Sequence, residues 1–164
     1  MTAAAHVFPN AVKNIASKVE SWATSSTELK VGLASGTFNW PGTGNSTAGY
    51  QTVSDFLGNA GSGGGGALTE VSTSSTGYSR QALSSVSLTT SGLVVTLTCA
   101  TITWTATANW SAQYAFFYDT TVDTSDSTRE LVCYWDFGGT VSVVSGGNFT
   151  LTINASGLIT FTSS

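Results

Sequence analysis

Charge is what this chain has least of: Asp, Glu, Lys and Arg together make up 9% of its 164 residues, against roughly a quarter in a typical soluble domain. The basic residues, Lys13, Lys18, Lys30, Arg80 and Arg129, are scattered from one end to the other. Binding to a phosphate backbone draws on several clustered cations that release counterions, so direct nucleic-acid binding is not expected. The net charge of −4 and the lack of a basic amphipathic segment argue equally against anionic membranes. No window approaches the ~18 consecutive apolar residues of a membrane span, and Met1 to Trp22 lacks the apolar core of a secretory signal. The chain is therefore expected neither to span a membrane nor to leave the cell by that route. Its Asn-x-Ser/Thr sequons, at Asn45, Asn109, Asn148 and Asn154, then follow from a Ser/Thr-rich composition and not from glycosylation.

Histidine is nearly missing as well. The only one, His6, lies near the start of the chain, so a Ser-His-Asp triad or a Cys-His dyad would have to recruit a terminus. Two separated cysteines and one histidine also fall short of the three or four ligands of a zinc site. Cys99 and Cys133 sit in apolar runs, where two buried thiols acting as small hydrophobes are the first expectation and a disulfide the second. Asp136-Phe137-Gly138 matches a kinase triplet, but the glycine-rich phosphate loop, strand lysine and catalytic loop are absent. The run Gly61 to Gly66 is not followed by the Gly-Lys-Ser/Thr of a phosphate loop. Asp119, Asp123, Asp126 and Glu130 offer oxygens for calcium or a carboxylate pair for glycoside hydrolysis, yet Asp with Ser and Thr between strands is also ordinary turn chemistry. No catalytic residue, metal or cofactor is assigned.

What the chain does have is hydroxyls and aromatics. It carries 24 Ser and 27 Thr, with eight Phe, five Trp and five Tyr, enough aromatic area to fill one core without disulfides or metals. Hydroxyls desolvate more cheaply than Lys or Glu, so such a surface suits close protein–protein packing; Thr-rich strand faces account for part of the same signal. The length fits a single domain, 1–164.

Residues 1–10 read as an arm. Val12, Ile15, Ala16, Val19, Trp22 and Ala23 recur at helical spacing behind a capping Asn10, predicting an amphipathic helix over 11–22. A strand is expected over 29–34, then a long Gly/Ser-rich loop region over 35–75 in which only 51–57 has the makings of a helical turn. The main β body, 76–164, shows strand patterns at 80–88, 93–99, 102–104, 114–119, 131–137, 149–154 and 158–162, with a parity shift near Ala100 marking a turn or bulge. The fold class is thus mostly β, an antiparallel sandwich or small jelly-roll-like body. Phe8, Phe38, Trp40 and Tyr50 stand among polar and small residues with no periodic neighbours, which makes them candidate interface anchors. The competing expectation, strongest for Phe38 and Trp40, is a satellite cluster folded over the sheet edge.

The order of short motifs over 29–161 resembles a family of small virion proteins of tailed bacteriophages. The matching pieces are Leu29-Lys30-Val31-Gly32-Leu33, Tyr50 through Ser54-Asp55, Thr76-Gly77-Tyr78-Ser79-Arg80, Thr103-Trp104, Tyr114-Ala115-Phe116-Phe117-Tyr118-Asp119, Leu131 through Asp136-Phe137-Gly138, Gly147-Asn148-Phe149-Thr150-Leu151 and Ala155-Ser156-Gly157. Gln113 stands where a basic residue is expected, and 58–66 is unusually rich in glycine. The resemblance implies a component of the virion, assembled in the host cytoplasm: a capsid decoration (cement) protein on the major capsid protein, or a tail or head-fibre component facing the host surface. It also implies a homo-oligomer, with a trimer favoured. A small hydrolase using the carboxylates of 119–130 is the remaining alternative.

Overall fold

The computed structural model describes residues 4–8, 12, 28–38, 52–58, 68–121, 124–154 and 156–162. Among these residues eleven strands and one helix follow in the order β1 (Ala4–Val7), β2 (Leu29–Gly36), α1 (Val53–Gly58), β3 (Leu68–Glu70), β4 (Gln81–Ala82), β5 (Ser87–Ser91), β6 (Val94–Thr98), β7 (Ile102–Thr105), β8 (Trp110–Asp119), β9 (Leu131–Val143), β10 (Asn148–Leu151) and β11 (Ile159–Thr162). The described chain is mostly β, and every strand pairing is antiparallel.

The largest sheet runs β1-β9-β8-β2-β3, with β4 pairing the same edge of β2 as β3. Its central strands are apolar at both parities, Tyr114 to Tyr118 and Leu131 to Trp135, and both runs are buried throughout. Such runs fit a sheet covered on both faces. One face carries Val31, Leu33, Phe117, Cys133 and Trp135 into a large core shared with the strand pair β10-β7 and the sheet β11-β6-β5. The other carries Phe116, Tyr118, Leu131 and Tyr134 into a smaller cluster with Phe8, Val53 and Phe56. Irregular pairing sets which residue goes where: between Phe117/Cys133 and Tyr118/Leu131 the register slips by one. Val132 is the extra residue, a bulge that puts it on the same side as Cys133.

Two glycines fit places where a side chain would not. Gly32 pairs with Phe116, and a Cβ at Gly32 would fall 2.3 Å from that ring, so the bare backbone of β2 is what the aromatic lies over. Gly77 has φ of 75° and its missing Cβ would sit 2.3 Å from the Thr105 carbonyl oxygen.

The strands expected at 29–34, 93–99, 102–104, 114–119, 131–137, 149–154 and 158–162 are present with shifted ends, and the chain breaks between β6 and β7 at 99–101. The helical turn expected at 51–57 is present as α1, and three expectations change. The N-terminal arm contains β1, which pairs with β9 from Ala4↔Asp136 to Val7↔Cys133. The stretch 80–88 is not one strand but the short β4 and the start of β5, because β4 needs only to fill the edge of β2 opposite Lys30 and Val31. The Gly/Ser-rich region 35–75 also contains the strand β3. The helix expected over 11–22 lies outside the described residues apart from Val12, which is exposed.

Candidate interaction surface

Of the acidic residues singled out by the sequence, Asp126 belongs to an ion network. Asp126 accepts from the Arg80 guanidinium through both oxygens, each at 2.6 Å, and from Arg129 Nη1 at 2.8 Å. Glu70 grips the other side of Arg80 at 2.7 and 2.6 Å. The guanidinium carbons of Arg80 and Arg129 lie 5.2 and 5.7 Å from the centre of the Tyr118 ring. Burial disfavours the charged guanidinium of Arg80, but the hydrogen bonds to Glu70 and Asp126 outweigh it and raise its pKa. The Arg80 hydrogen bond in turn is the chief reason that the Asp126 carboxyl sits below the usual carboxylate range. Asp119 is buried, its Oδ1 accepting from Thr121 N–H and hydroxyl while Oδ2 has no partner among the described residues. Asp123 lies outside the described residues. Among the described residues no three His, Cys, Asp or Glu side chains gather into a potential metal site.

This ion network is a device for holding the chain together. The turn 125–129 that carries Asp126 also accepts the first N–H groups of α1, Val53 N–H on the Arg129 carbonyl at 3.0 Å and Ser54 N–H on the Asp126 carbonyl at 2.8 Å. Thr52 and Asp55 cap α1 reciprocally, at 3.2 and 3.0 Å. Tyr78 fills the gap between β3 and β4: its hydroxyl accepts Leu33 N–H at 2.8 Å and donates to Glu70 at 2.8 Å. Burial, then the Glu70 charge, raises the pKa of this phenol well above its ordinary value. No local sequence pattern marks the Arg80 contacts, since Arg80 meets Asp126 across 46 positions.

Of the four candidate anchors, Phe8 is fully buried against Phe56 and Tyr134. Its ring surface is used inside the chain, in the cluster around Phe56. Phe38 is partly buried against Phe56, Tyr114 and Tyr134, the satellite arrangement weighed as the alternative. Trp40 and Tyr50 lie outside the described residues. Both thiols are free; burial pushes Cys99 up to about 11 and also raises Cys133 well above the ordinary thiol value.

The surface that is open lies elsewhere. In the sheet β11-β6-β5, Leu97 pairs with Leu88 and Ile159, and Val95 with Thr90 and Phe161, so these side chains share one face. Leu97 and Ile159 reach the core and Phe161 packs against it, but the face runs on past it: Val95 is only partly buried and Leu88 is 41% exposed. Leu93, at the hairpin tip, is 65% exposed. Strand β5, Ser-Leu-Thr-Thr-Ser, is exposed along its whole length and ends the sheet. It carries no charge, proline or bulge, the usual devices that keep an edge from pairing with another chain. Leu88 went unnoticed in the sequence because a lone Leu among Ser and Thr reads as an ordinary strand residue.

No protein-family model, no curated protein and no solved structure matches this chain. No helix among the described residues is long and apolar enough to cross a membrane.

Proposed function

We propose that this chain is a non-enzymatic structural protein of a tailed-phage particle, acting as a capsid decoration subunit seated on the major capsid protein. The observation that carries the packing role is the apolar overhang of the β11-β6-β5 sheet, bordered by the uncharged edge of β5. A long unguarded edge is a liability for a free monomer and an asset for a subunit that is always covered. The phage assignment rests on the order of motifs along 29–161. The finer fold reading belongs to the same proposal: the two small sheets laid over one face of the large sheet form a sandwich-like or jelly-roll-like body, and the subunits associate as a homo-oligomer, with a trimer favoured. A tail or head-fibre subunit is the second reading, favoured by the projecting β5–β6 hairpin.

Mass spectrometry of purified particles tests both. Decoration requires a copy at every equivalent position of the capsid lattice, a tail or fibre site only a handful, and absence from the particle rejects the virion role. Replacing Leu88 and Leu93 by Asp is expected to reduce occupancy on undecorated capsids at least tenfold, about 1.4 kcal/mol or more, with unchanged melting. Unchanged occupancy would move the interface away from this sheet.

A further inference from the structure

Beside β10 and β11 lies an open cleft of about 820 Å³. Three runs of consecutive residues line it, 141–143, 148–152 and 156–160, and each run mixes buried with exposed or half-buried positions. Successive residues of a strand point to opposite faces, so a cleft that touches every residue of a run lies along the edge of the strand. The topology agrees: β10 ends one small sheet and β11 ends the other, with no further strand beyond either among the described residues. Their pairings, Asn148↔Thr105 to Leu151↔Ile102 and Ile159↔Leu97 to Thr162↔Val94, follow one another along β7 and β6. The two strands thus run end to end as one unpaired border.

In β10 the main-chain groups of this border follow from the pairing. Ala106 N–H donates to the Gly147 carbonyl at 2.8 Å, and in an antiparallel pair such bonded positions recur every second residue. Phe149 and Leu151 therefore bond to β7, and the N–H and C=O of Asn148 and Thr150 turn outward. The contact of the Thr150 and Thr103 hydroxyls at 3.3 Å fits that phase, because side chains lie closer across the non-bonded kind of pair. The floor of the cleft belongs to the large sheet, through Val7, Trp135 and Phe137. With ~4.8 Å between neighbouring strands, ~10 Å between layers and ~3.4 Å per residue, the volume holds one extended segment of about five residues.

A strand added to this border meets the outward N–H and C=O groups with its own, which requires free N–H groups and so excludes proline. No described residue that lines the cleft is ionisable, so a charged side chain would lose its water without gaining a partner. Apolar side chains at alternate positions reach the floor. A second copy offering its exposed β5 fits poorly. The large sheet is five strands across and the layer over it at most three, about 24 Å against 14 Å, so merging the narrow layers of two copies would drive their wide sheets into each other. A segment with no sheet behind it meets no such obstacle.

We infer that β10 and β11 accept, as an added strand, an uncharged extended arm of a different polypeptide with apolar residues at alternate positions. This border lies opposite β5, so the inference does not rest on the role proposed for the β5 edge.

The test is a titration of the full-length, isotope-labelled chain with the capped heptapeptide acetyl-Thr-Val-Ser-Val-Thr-Val-Ser-amide, followed by main-chain amide signals and hydrogen exchange. The amides of Asn148 and Thr150 are expected to shift saturably and to gain protection, while those of Phe149 and Leu151 are protected already in the free chain. The fully N-methylated peptide keeps the side chains but cannot donate, and is expected to bind at least about tenfold more weakly. Equal binding of the two peptides would overturn strand pairing. Thr150→Pro removes an outward donor and leaves the bonds to β7, so it is expected to weaken the parent peptide about tenfold or more with melting temperature unchanged. Should this variant melt lower, the N-methylated peptide, which leaves the chain unaltered, decides the question. No saturable protection of the two amides up to millimolar peptide would overturn the inference. Protection of the same amides on concentrating the chain alone would make the donor a second copy, and would overturn the assignment to a foreign arm.

Discussion

At the scale of single residues, Tyr78 shows how much one hydroxyl can hold. It accepts the Leu33 N–H left over where β3 gives way to β4, and donates a hydrogen bond to Glu70, the residue that fixes Arg80. Tyr78→Phe keeps the ring against Trp104 and Trp110 but leaves a buried backbone donor unmade. We expect a loss of about 1–3 kcal/mol in urea unfolding, with unchanged strand content by circular dichroism. A loss under a few tenths would mean that water replaces the hydroxyl. Sequence reading identified Tyr78 only as a piece of a motif, because its partners Leu33 and Glu70 belong to strands that reach it through the fold. The cysteines were more legible. Both sit in apolar runs, and burial raises both thiols; at about 11, Cys99 leaves roughly one part in a thousand as thiolate near pH 8.

At the scale of elements, Phe8, the residue that follows β1, and α1 cover the same face of the large sheet. Phe8 donates its backbone N–H to the Val132 carbonyl at 3.1 Å, directly after β1 ends, and its ring fills the cluster around Phe56. This separates two readings of the same residue. As a core residue, Phe8→Ala should cost about 3–5 kcal/mol, lowering the urea midpoint of the isolated chain. As a partner anchor it would leave that midpoint unchanged and weaken only assembly. We expect the first outcome, and deletion of 1–8 to destabilise at least as much, since it also removes the pairing of β1 with β9. The helical turn expected at 51–57 is where α1 (Val53–Gly58) lies. Sequence reading missed β1, since Ala4-Ala5-His6-Val7 lacks the alternation of a half-buried strand and becomes a strand only because β9 presents an open edge.

At the scale of the whole molecule, two of the basic residues, Arg80 and Arg129, join the 70s, the turn 125–129 and the aromatic face of β8. Asp126 is the carboxylate common to both arginines. Its folded pKa lies below its unfolded value, so its stabilising contribution is fully present above the ordinary carboxylate pKa of about 3.9. That contribution is lost as pH falls through the lower folded value. The unfolding free energy of the parent chain should therefore exceed that of Asp126→Asn by a constant margin from pH 7 to pH 5, the margin shrinking below pH ~4. A margin that stays the same down to pH 2 would show that the network acts through shape and not through charge.

By itself the sequence determined the class of this protein: the alternation in β10 and the doubly apolar runs of β8 and β9 require strands, and the scarcity of charge and of histidine narrows the chemistry. Those properties are local, set by side-chain period and composition. Tertiary structure alone decided which aromatics are core and which surface stays open. Phe8 and Leu88 stand in similarly plain surroundings in the sequence, yet one is sealed under α1 and the other is left on an uncovered edge. That difference depends on strand order and on the bulge at Val132, and therefore on pairings between residues far apart in the chain, which no window of neighbouring residues encodes.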